Sequence, residues 1–391
     1  MAEKLNILVA PNSFKECADS TEIAALMKAS FNRYLADSFK QAAKFVYQPI
    51  SDGGDGFFEV CKNHFGLETL HFEVSRAFDS GKFFCPVGYS AETKTIYIES
   101  AEVLGLKTIP VEKRRPLTLS SKGMGDLLTQ LLDSVYTGFM DIEKVIIGVG
   151  GTGTSDLGMG MMEVFGLEFY DTADNKLAVL PKNFHLVEKI AVPELTFPFK
   201  VELICDVENK LLGENGATKM FSKQKGATDD DVEFLESAFE NVLKQLELDE
   251  AAISSLNGAG GGIAAAMKIF FNSDIRFSSN FIKDDFGIDS TKQKYDLVIT
   301  GEGKFDLQSL LNKGALIITN DYLNADTPVY FVCGISEGDF PENDNLHVIE
   351  LSEYFDSIED SISNIDKGID IACKKITKNI IQLIAKKEPK N

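Results

Sequence analysis

The chain is poor in the features that mark membrane spans, disulfides and zinc sites. No segment has the length of apolar sequence that crosses a bilayer. The first apolar run, residues 5–10, is too short for a signal peptide and leads directly into a loop. The six cysteines are scattered, without a CxxC spacing or a nearby group of histidines. We therefore expect reduced thiols in a cytoplasmic protein, and we do not expect structural zinc.

Positive charge is also scarce. The 391 residues include 39 lysines and arginines against 60 aspartates and glutamates, which gives a net charge of −21. This charge argues against nucleic acid and against an anionic membrane surface as partners. It does not argue against a phosphate ligand, because backbone N–H groups and a few lysines can bind phosphate inside an acidic protein.

Several catalytic signatures are missing as well. The GxxxxGK[ST] phosphate loop is absent, and so are the HRD and DFG motifs of protein kinases. The chain has only four histidines, and none lies in a nucleophile-elbow pattern: His64, His71, His185 and His347. A Ser-His-Asp hydrolase and a protein kinase are therefore not expected.

Alternating strand and helix patterns at both ends of the chain are typical of an α/β fold. Apolar runs at residues 5–10 and 45–50 indicate buried strands with a helix between them. The same alternation of strand and helix returns after residue 295. Residues 67–99 instead predict an antiparallel meander. We predict a Rossmann-like parallel-sheet domain built from both termini, residues 1–65 and 290–391, and an inserted α/β domain with a mixed sheet, residues 66–289. A turn is predicted at residues 301–303, and a break near Gly368 in the terminal helix.

One glycine-rich segment, IIGVGGTGTSDLGMGMMEVFG, follows the predicted strand at residues 144–148. Its glycines at 148, 150 and 153 have the GxGxxG spacing of a dinucleotide loop. Asp171 stands roughly twenty positions further on, where such proteins place an acidic ligand for ribose. This spacing keeps an NAD-dependent dehydrogenase open as an interpretation.

Other residues of the same segment favour a phosphate loop. Gly158 and Gly160 weaken the helix that a dinucleotide fold packs firmly on its sheet. Thr152 and Thr154 offer hydroxyl donors to phosphate oxygens, and Asp156 offers a carboxylate that suits a cation. The segment therefore favours phosphate plus metal.

Four further glycine loops carry charged residues or open a helix. The loop at residues 51–56 follows a strand and pairs two carboxylates with three glycines, so it indicates either a metal or proton-transfer site or a capped turn. Residues 257–262 indicate either an anion site at a helix start or close helix packing. Lys225 stands at a turn before a helix, and residues 300–306 carry two carboxylates and a lysine at a strand end.

Taken in order, these segments resemble the bacterial-type glycerate kinases of family 1. The resemblance spans residues 7–314 and rests on ILVAPNSFKE, PISDGGDGF, RPLTLSSKGMGDLL, IIGVGGTGTSDLGMGMM, ICDVENKLLGENGATKMFSKQKGAT, GAGGGIAAAM and VITGEGKFDLQSLLNKG. It implies ATP-dependent phosphorylation of D-glycerate, usually to 2-phosphoglycerate, in a cleft between two α/β domains. This chain has Leu157 where the family often has glycine.

Phosphoryl transfer needs positioning and charge neutralisation more than covalent chemistry, and the candidate residues follow from that need. Lys15, Asp52 and Asp306 are predicted catalytic residues. Asp55 and Glu302 are predicted to hold Mg²⁺, although the sequence leaves open which carboxylate is the base and which binds metal. Ser51 and either Arg114 or Arg115 are predicted to bind glycerate. The predicted nucleotide-binding residues are Gly150, Gly151, Thr152, Thr154 and Lys225.

The expected partners are therefore ATP and D-glycerate, with no nucleic acid and no membrane. A homodimer is left open. The alternatives are the dehydrogenase and a non-catalytic sugar-acid-binding protein that keeps the fold.

Overall fold

The computed structural model describes residues 4–14, 17–306, 314–338 and 342–387. The chain forms two compact units. The terminal unit comprises Met1–Val60 and Ser278–Asn391, and the inserted unit comprises Cys61–Phe277. The α/β class predicted from the sequence is confirmed. The exact domain boundaries and the place of the active site stay predictions.

The strands of the described residues are β1 Leu5–Pro11, β2 Ala43–Tyr47, β3 Glu68–Ser75, β4 Lys82–Ser90, β5 Thr95–Glu99, β6 Lys144–Gly148, β7 Glu168–Tyr170, β8 Lys176–Leu177, β9 Lys189–Ala191, β10 Lys200–Cys205, β11 Asp274–Phe277, β12 Leu297–Asp306, β13 Val329–Glu337 and β14 Leu346–Glu350. The α-helices are α1 Ser20–Tyr34, α2 Asp37–Ala42, α3 Phe57–Phe65, α4 Ser100–Leu104, α5 Lys122–Tyr136, α6 Met159–Val164, α7 Ala217–Phe221, α8 Asp229–Gln245, α9 Glu250–Ser255, α10 Ile263–Phe271, α11 Ser278–Asp284, α12 Gly314–Asn324, α13 Ile358–Ser363 and α14 Ile365–Lys387.

The terminal unit is built on a parallel sheet with the strand order β14-β13-β12-β1-β2. β1 is apolar and almost wholly buried, as expected for a parallel strand covered on both faces. Ile7 and Val9 pack in one core with side chains of α1 and α14, while Phe331 of β13 packs in another with Leu316 of α12. The chain runs from β1 outward to β2 and later from β12 outward to β14, so the strand order reverses between β1 and β12.

The inserted unit contains a mixed sheet with the order β11-β10-β6-β5-β4-β3. The predicted meander is confirmed, because β3, β4 and β5 pair antiparallel. β5, β6, β10 and β11 pair parallel and follow one another in a single direction across the sheet. A small antiparallel sheet, β8-β7-β9, lies within the same unit.

The predicted turn at residues 301–303 is wrong. β12 continues to Asp306 because β13 pairs with it as far as Glu337 and satisfies its backbone groups. Glycine at 301 permits this close pairing, since a Cβ there would lie 1.9 Å from the carbonyl oxygen of Val332.

The predicted break near Gly368 is also misplaced. The break between α13 and α14 falls at Asn364, whose amide nitrogen and side chain both donate to Asp360. Gly368 lies inside α14, where the absence of a side chain lets the helix approach Leu351 closely.

Candidate active site

The carboxyl end of β1 is hydrogen-bonded directly to the middle of β12 at the point where the strand order reverses. The amide of Asn12, the residue after β1, donates to the carbonyl of Gly301 at 2.8 Å. The hydroxyl of Thr300 donates to the carbonyl of Ala10, also at 2.8 Å. In open parallel sheets, ligands bind outside the strand ends at such a reversal. The topology therefore makes this edge of the terminal unit a candidate ligand site.

Asp52 is held at this edge by two hydrogen bonds. Its Oδ1 accepts from the amide of Gly54 at 3.0 Å, and its Oδ2 accepts from the side-chain nitrogen of Asn12 at 3.3 Å. The loop is placed by the amide of Ile50, which donates to Pro11 at 3.0 Å. Asp52 is only half-buried, so its carboxylate is both oriented and open to a ligand.

The other candidates of the terminal unit differ in exposure. Ser51 is fully buried, and its hydroxyl accepts from the amide of Gly53 at 3.2 Å. Glu302 is buried on β12 just beyond Gly301, whereas Asp55 is exposed. Lys15 and the side chain of Asp306 lie outside the described residues.

In the inserted unit, the glycine loop after β6 presents little more than one turn to solvent. Gly151 is exposed with a φ of 70°, Gly150 is half-buried, and residues 152–160 are buried. The loop is tied to the segment after β5, because the amide of Gly153 donates to Leu104 at 2.7 Å and the hydroxyl of Ser100 donates to Gly150 at 3.2 Å. A ligand approaching this loop would meet the Gly150–Gly151 turn.

Asp156 anchors the loop from inside and does not face a ligand. Its carboxylate accepts four hydrogen bonds, from the amide and hydroxyl of Ser121 at 2.6 and 2.8 Å and from the amides of Gly158 and Gly160 at 3.1 Å each. These donors belong to the starts of α5 and α6. Burial raises the pKa of Asp156, and the four donors oppose that rise. The expectation that Asp156 suits a bound cation is not supported, because the protein already occupies its oxygens.

The glycines at 258–262 serve close backbone packing. A Cβ on Gly261 would lie 1.9 Å from the carbonyl oxygen of Thr154, and one on Gly262 would lie 2.5 Å from the Cα of Leu157. The packing alternative for this segment is therefore the better supported one. Leu157 has a φ of 56° and donates its amide to Gly261 at 3.1 Å. This chain thus keeps a left-handed residue at the position where the family often has glycine.

Lys225 is buried at the place where these two loops meet. Its ammonium donates to the carbonyl of Thr154 at 2.8 Å and to the hydroxyl of Thr152 at 3.4 Å. Burial lowers the pKa of Lys225 to about 8, and the charge of Asp156 acts in the opposite direction. Of the predicted nucleotide-binding residues, Thr152, Thr154 and Lys225 are buried behind the Gly150–Gly151 turn.

The two candidate arginines are in different surroundings. The guanidinium of Arg114 donates to the carbonyls of Leu106 and Ile109, at 2.9 and 3.2 Å. Arg115 is exposed. Arg114 therefore stabilises its own loop, and the arginine that binds the substrate carboxylate stays a prediction.

Three observations disfavour the dinucleotide interpretation. The strand order does not reverse at β6, so the sheet offers no switch-point crevice there. The helix after the loop, α6, has only 6 residues. Asp171 accepts from the amides of Ala173 and Asn175 and from the side chain of Asn175, so its carboxylate stabilises its own turn.

The described residues contain neither a metal-binding cluster nor a membrane-spanning helix. No cluster of three or more histidine, cysteine, aspartate or glutamate side chains is arranged to hold a metal ion there. In the same part of the chain, no helix is both long enough and apolar enough to cross a membrane.

Known proteins with similar sequences and structures identify the family of this chain. The model of the glycerate kinase family matches residues 7–384. The chain is 30% identical to glycerate 2-kinase of Escherichia coli K12 over 84% of this chain and 85% of the relative, and 30% identical to glycerate kinase of Haemophilus influenzae over 86% and 87%. A crystal structure from Salmonella typhimurium LT2 that carries the name glycerate kinase 2 superposes with a TM-score of 0.74 and 26% identity, covering 99% of this chain and 100% of that one. The chain belongs to the glycerate kinase family and is an ATP-dependent kinase.

Proposed function

We propose that this enzyme transfers the γ-phosphoryl group of ATP to D-glycerate, with the 2-hydroxyl favoured over the 3-hydroxyl as acceptor. The observation that carries the proposal is the reversal of strand order at Asn12 and Gly301, where Asp52 and Glu302 supply carboxylates. Support for the 2-hydroxyl comes from the Escherichia coli relative, which is named for that activity.

Asp52 is assigned as the general base. The attacking hydroxyl must lose its proton late in the transfer, and a carboxylate within hydrogen-bond reach can accept it. The hydrogen bonds from Gly54 and Asn12 hold the Asp52 carboxylate in one orientation. Because Asp52 is half-buried, the same carboxylate remains accessible to the substrate.

Mg²⁺ is assigned to the carboxylates of Asp55 and Glu302 together with the phosphates of ATP. Mg²⁺ in kinases is commonly held by one or two protein carboxylates, so this small donor set fits it. When bound, Mg²⁺ neutralises charge on the phosphates. Glu302 lies next to Gly301 on β12 and is 6% exposed, whereas Asp55 is exposed to solvent.

The remaining roles divide between backbone and side chains. The Gly150–Gly151 turn is assigned to phosphate oxygens, because its backbone faces solvent and glycine allows close approach. Arg115 is assigned to the glycerate carboxylate, with Ser51 shaping the loop next to the base. Lys15 and Asp306 keep their predicted catalytic roles. The six cysteines are in the thiol form and five of them are buried, which favours a reducing compartment such as the cytoplasm.

The experiment is an initial-rate assay of ADP release with Mg²⁺-ATP and each enantiomer of glycerate. The proposal expects turnover with D-glycerate that depends on both substrates. Folded protein that releases no ADP above background with either enantiomer contradicts the proposal and leaves the non-catalytic sugar-acid-binding protein. A nicotinamide fluorescence titration checks the dehydrogenase, for which no binding is expected.

A further inference from the structure

Lys225 lies between two loops of the inserted unit. It ends a one-turn helix, Lys223–Lys225, and the glycine after it has a φ of 99° that turns the chain away. Its Nζ donates to Thr154 and Thr152 of the loop after β6. On another side, a Cβ added to Gly261 would lie 3.0 Å from this Nζ. The ammonium therefore fills the space between the β6 loop and the segment at residues 258–262.

The same contacts separate Lys225 from solvent. Only 5% of the residue is exposed, and Thr152 and Thr154 are exposed by 5% and 0%. Gly151, by contrast, is exposed directly next to Thr152 in the chain. A phosphate that reaches the loop thus meets the backbone of Gly150 and Gly151 with the threonines and the ammonium behind it.

We propose that Lys225 is a positioning residue, which holds the Gly150–Gly151 turn in its phosphate-binding conformation through Thr152 and Thr154 without contacting the phosphate itself. This inference rests on the proposed function, since it takes the turn as the place where phosphate binds.

The charge balance supports the same arrangement. A buried ammonium is costly unless hydrogen bonds and an opposite charge compensate it. Asp156 is the charged group that acts on Lys225, and its carboxylate is fixed by Ser121, Gly158 and Gly160. Burial still lowers the pKa of Lys225 to about 8. Lys225 is therefore a buried lysine whose hydrogen bonds and neighbouring carboxylate offset part of the cost of burial, which fits a residue that braces a loop.

Amine acetylation of the wild-type protein tests the inference without any variant. At pH 8 a lysine with a pKa of about 8 is half neutral, so an accessible Lys225 would react much faster than Lys223, which is exposed and pairs with Asp229 at 2.5 Å. We expect Lys225 to be acetylated at least about tenfold more slowly than Lys223, equally with and without ATP, as followed by peptide mass spectrometry. Fast acetylation that ATP prevents would show a phosphate contact and overturn the inference.

Lys225→Met with Lys223→Met as its matched control provides the second test. Without nucleotide, we expect the amides of the β6 loop, that of Gly153 included, to exchange with deuterium about tenfold faster in Lys225→Met than in wild type or in Lys223→Met. The KM for ATP should rise while the KM for D-glycerate stays constant. Unchanged exchange in nucleotide-free Lys225→Met overturns the inference.

The two tests separate this inference from the proposed function. Acetylation and exchange in the nucleotide-free protein need no ATP binding. If calorimetry detects no ATP binding to wild-type protein while Lys225 stays unreactive and braces the loop, the proposed function fails and the contacts of Lys225 stand.

Discussion

The amide of Asn12 and the carbonyl of Gly301 form a 2.8 Å hydrogen bond across the point where the strand order of the terminal sheet reverses. The side chain of Asn12 reaches Asp52 from the same position, at 3.3 Å. One residue therefore connects the topological switch point to the carboxylate assigned as the base.

Asp52→Asn should reduce kcat about 100-fold or more and leave the KM for ATP nearly constant, because the amide keeps the size of the side chain but cannot accept the proton. Initial rates over a Mg²⁺ series measure this. Asp171→Asn is the matched control, since Asp171 accepts from the amide two residues later just as Asp52 does. A rate restored by raising Mg²⁺ would make Asp52 a metal ligand, and a normal rate would remove it from the chemistry.

Gly151→Val should weaken ATP binding while the protein stays folded. Gly151 is exposed with a φ of 70°, where a β-branched residue is strained and blocks close approach of a phosphate. Gly138→Val is the control, because Gly138 has a φ of 71° and open space around its missing Cβ. Both variants carry the same backbone strain, so equal ATP affinities by calorimetry would show that the turn does not bind nucleotide.

Arg115→Gln should raise the KM for D-glycerate about 10- to 100-fold, since a hydrogen bond to a charged group contributes roughly 1.5–3 kcal/mol. Rates at saturating ATP with varied glycerate measure the change. Arg76→Gln, at an arginine that lies 3.7 Å from Asp79, should leave the KM as it is. If Arg115→Gln has no effect and folded Arg114→Gln does, the substrate arginine is Arg114.

Lys225 should make stability depend on pH in the alkaline range. Its pKa is lowered to about 8 in the folded protein from an ordinary 10.5, so between these values the unfolded chain binds more protons. The free energy of unfolding of wild type relative to Lys225→Met should therefore rise with pH above about 8, by at most about 1.4 kcal/mol per pH unit. Below pH 8 both states are protonated and the difference should be constant. Urea unfolding at pH 7, 8 and 9 measures this difference in the free energy of unfolding. A difference that stays constant from pH 7 to pH 9 would contradict the lowered pKa of Lys225.

The sequence predicted the elements well because their signals are local. The apolar run of β1 and the alternation in residues 67–99 each depend on neighbours along the chain. The ordered glycine loops also indicated the family, which the comparisons then showed. These features need no knowledge of how distant segments pair.

The features that the sequence did not predict depend on contacts between residues far apart in the chain. The pairing of β1 with β12 joins residues almost 300 positions apart, so the switch point at Asn12 has no local signal beyond a strand that ends in Pro11-Asn12. The sequence predicted that Asp156 suits a cation, because its hydrogen-bond partner Ser121 lies 35 residues away at the start of another helix. Without the fold, nothing near Asp156 in the chain indicates that this partner occupies its carboxylate. The burial of Lys225 depends in the same way on Thr152 and Thr154, more than 70 residues earlier.

The identity of the product tests the proposed activity most directly. Purified protein, Mg²⁺-ATP and ¹³C-labelled D-glycerate are incubated, and ³¹P and ¹³C NMR locate the new phosphate ester. We expect ADP and 2-phosphoglycerate in equal amounts, with phosphorus coupled to C1 and C3 as well as to C2. Phosphorus coupled to C2 and C3 but not to C1 would contradict the assigned acceptor, and the absence of any phosphate ester from folded, ATP-binding protein would contradict the proposed activity itself.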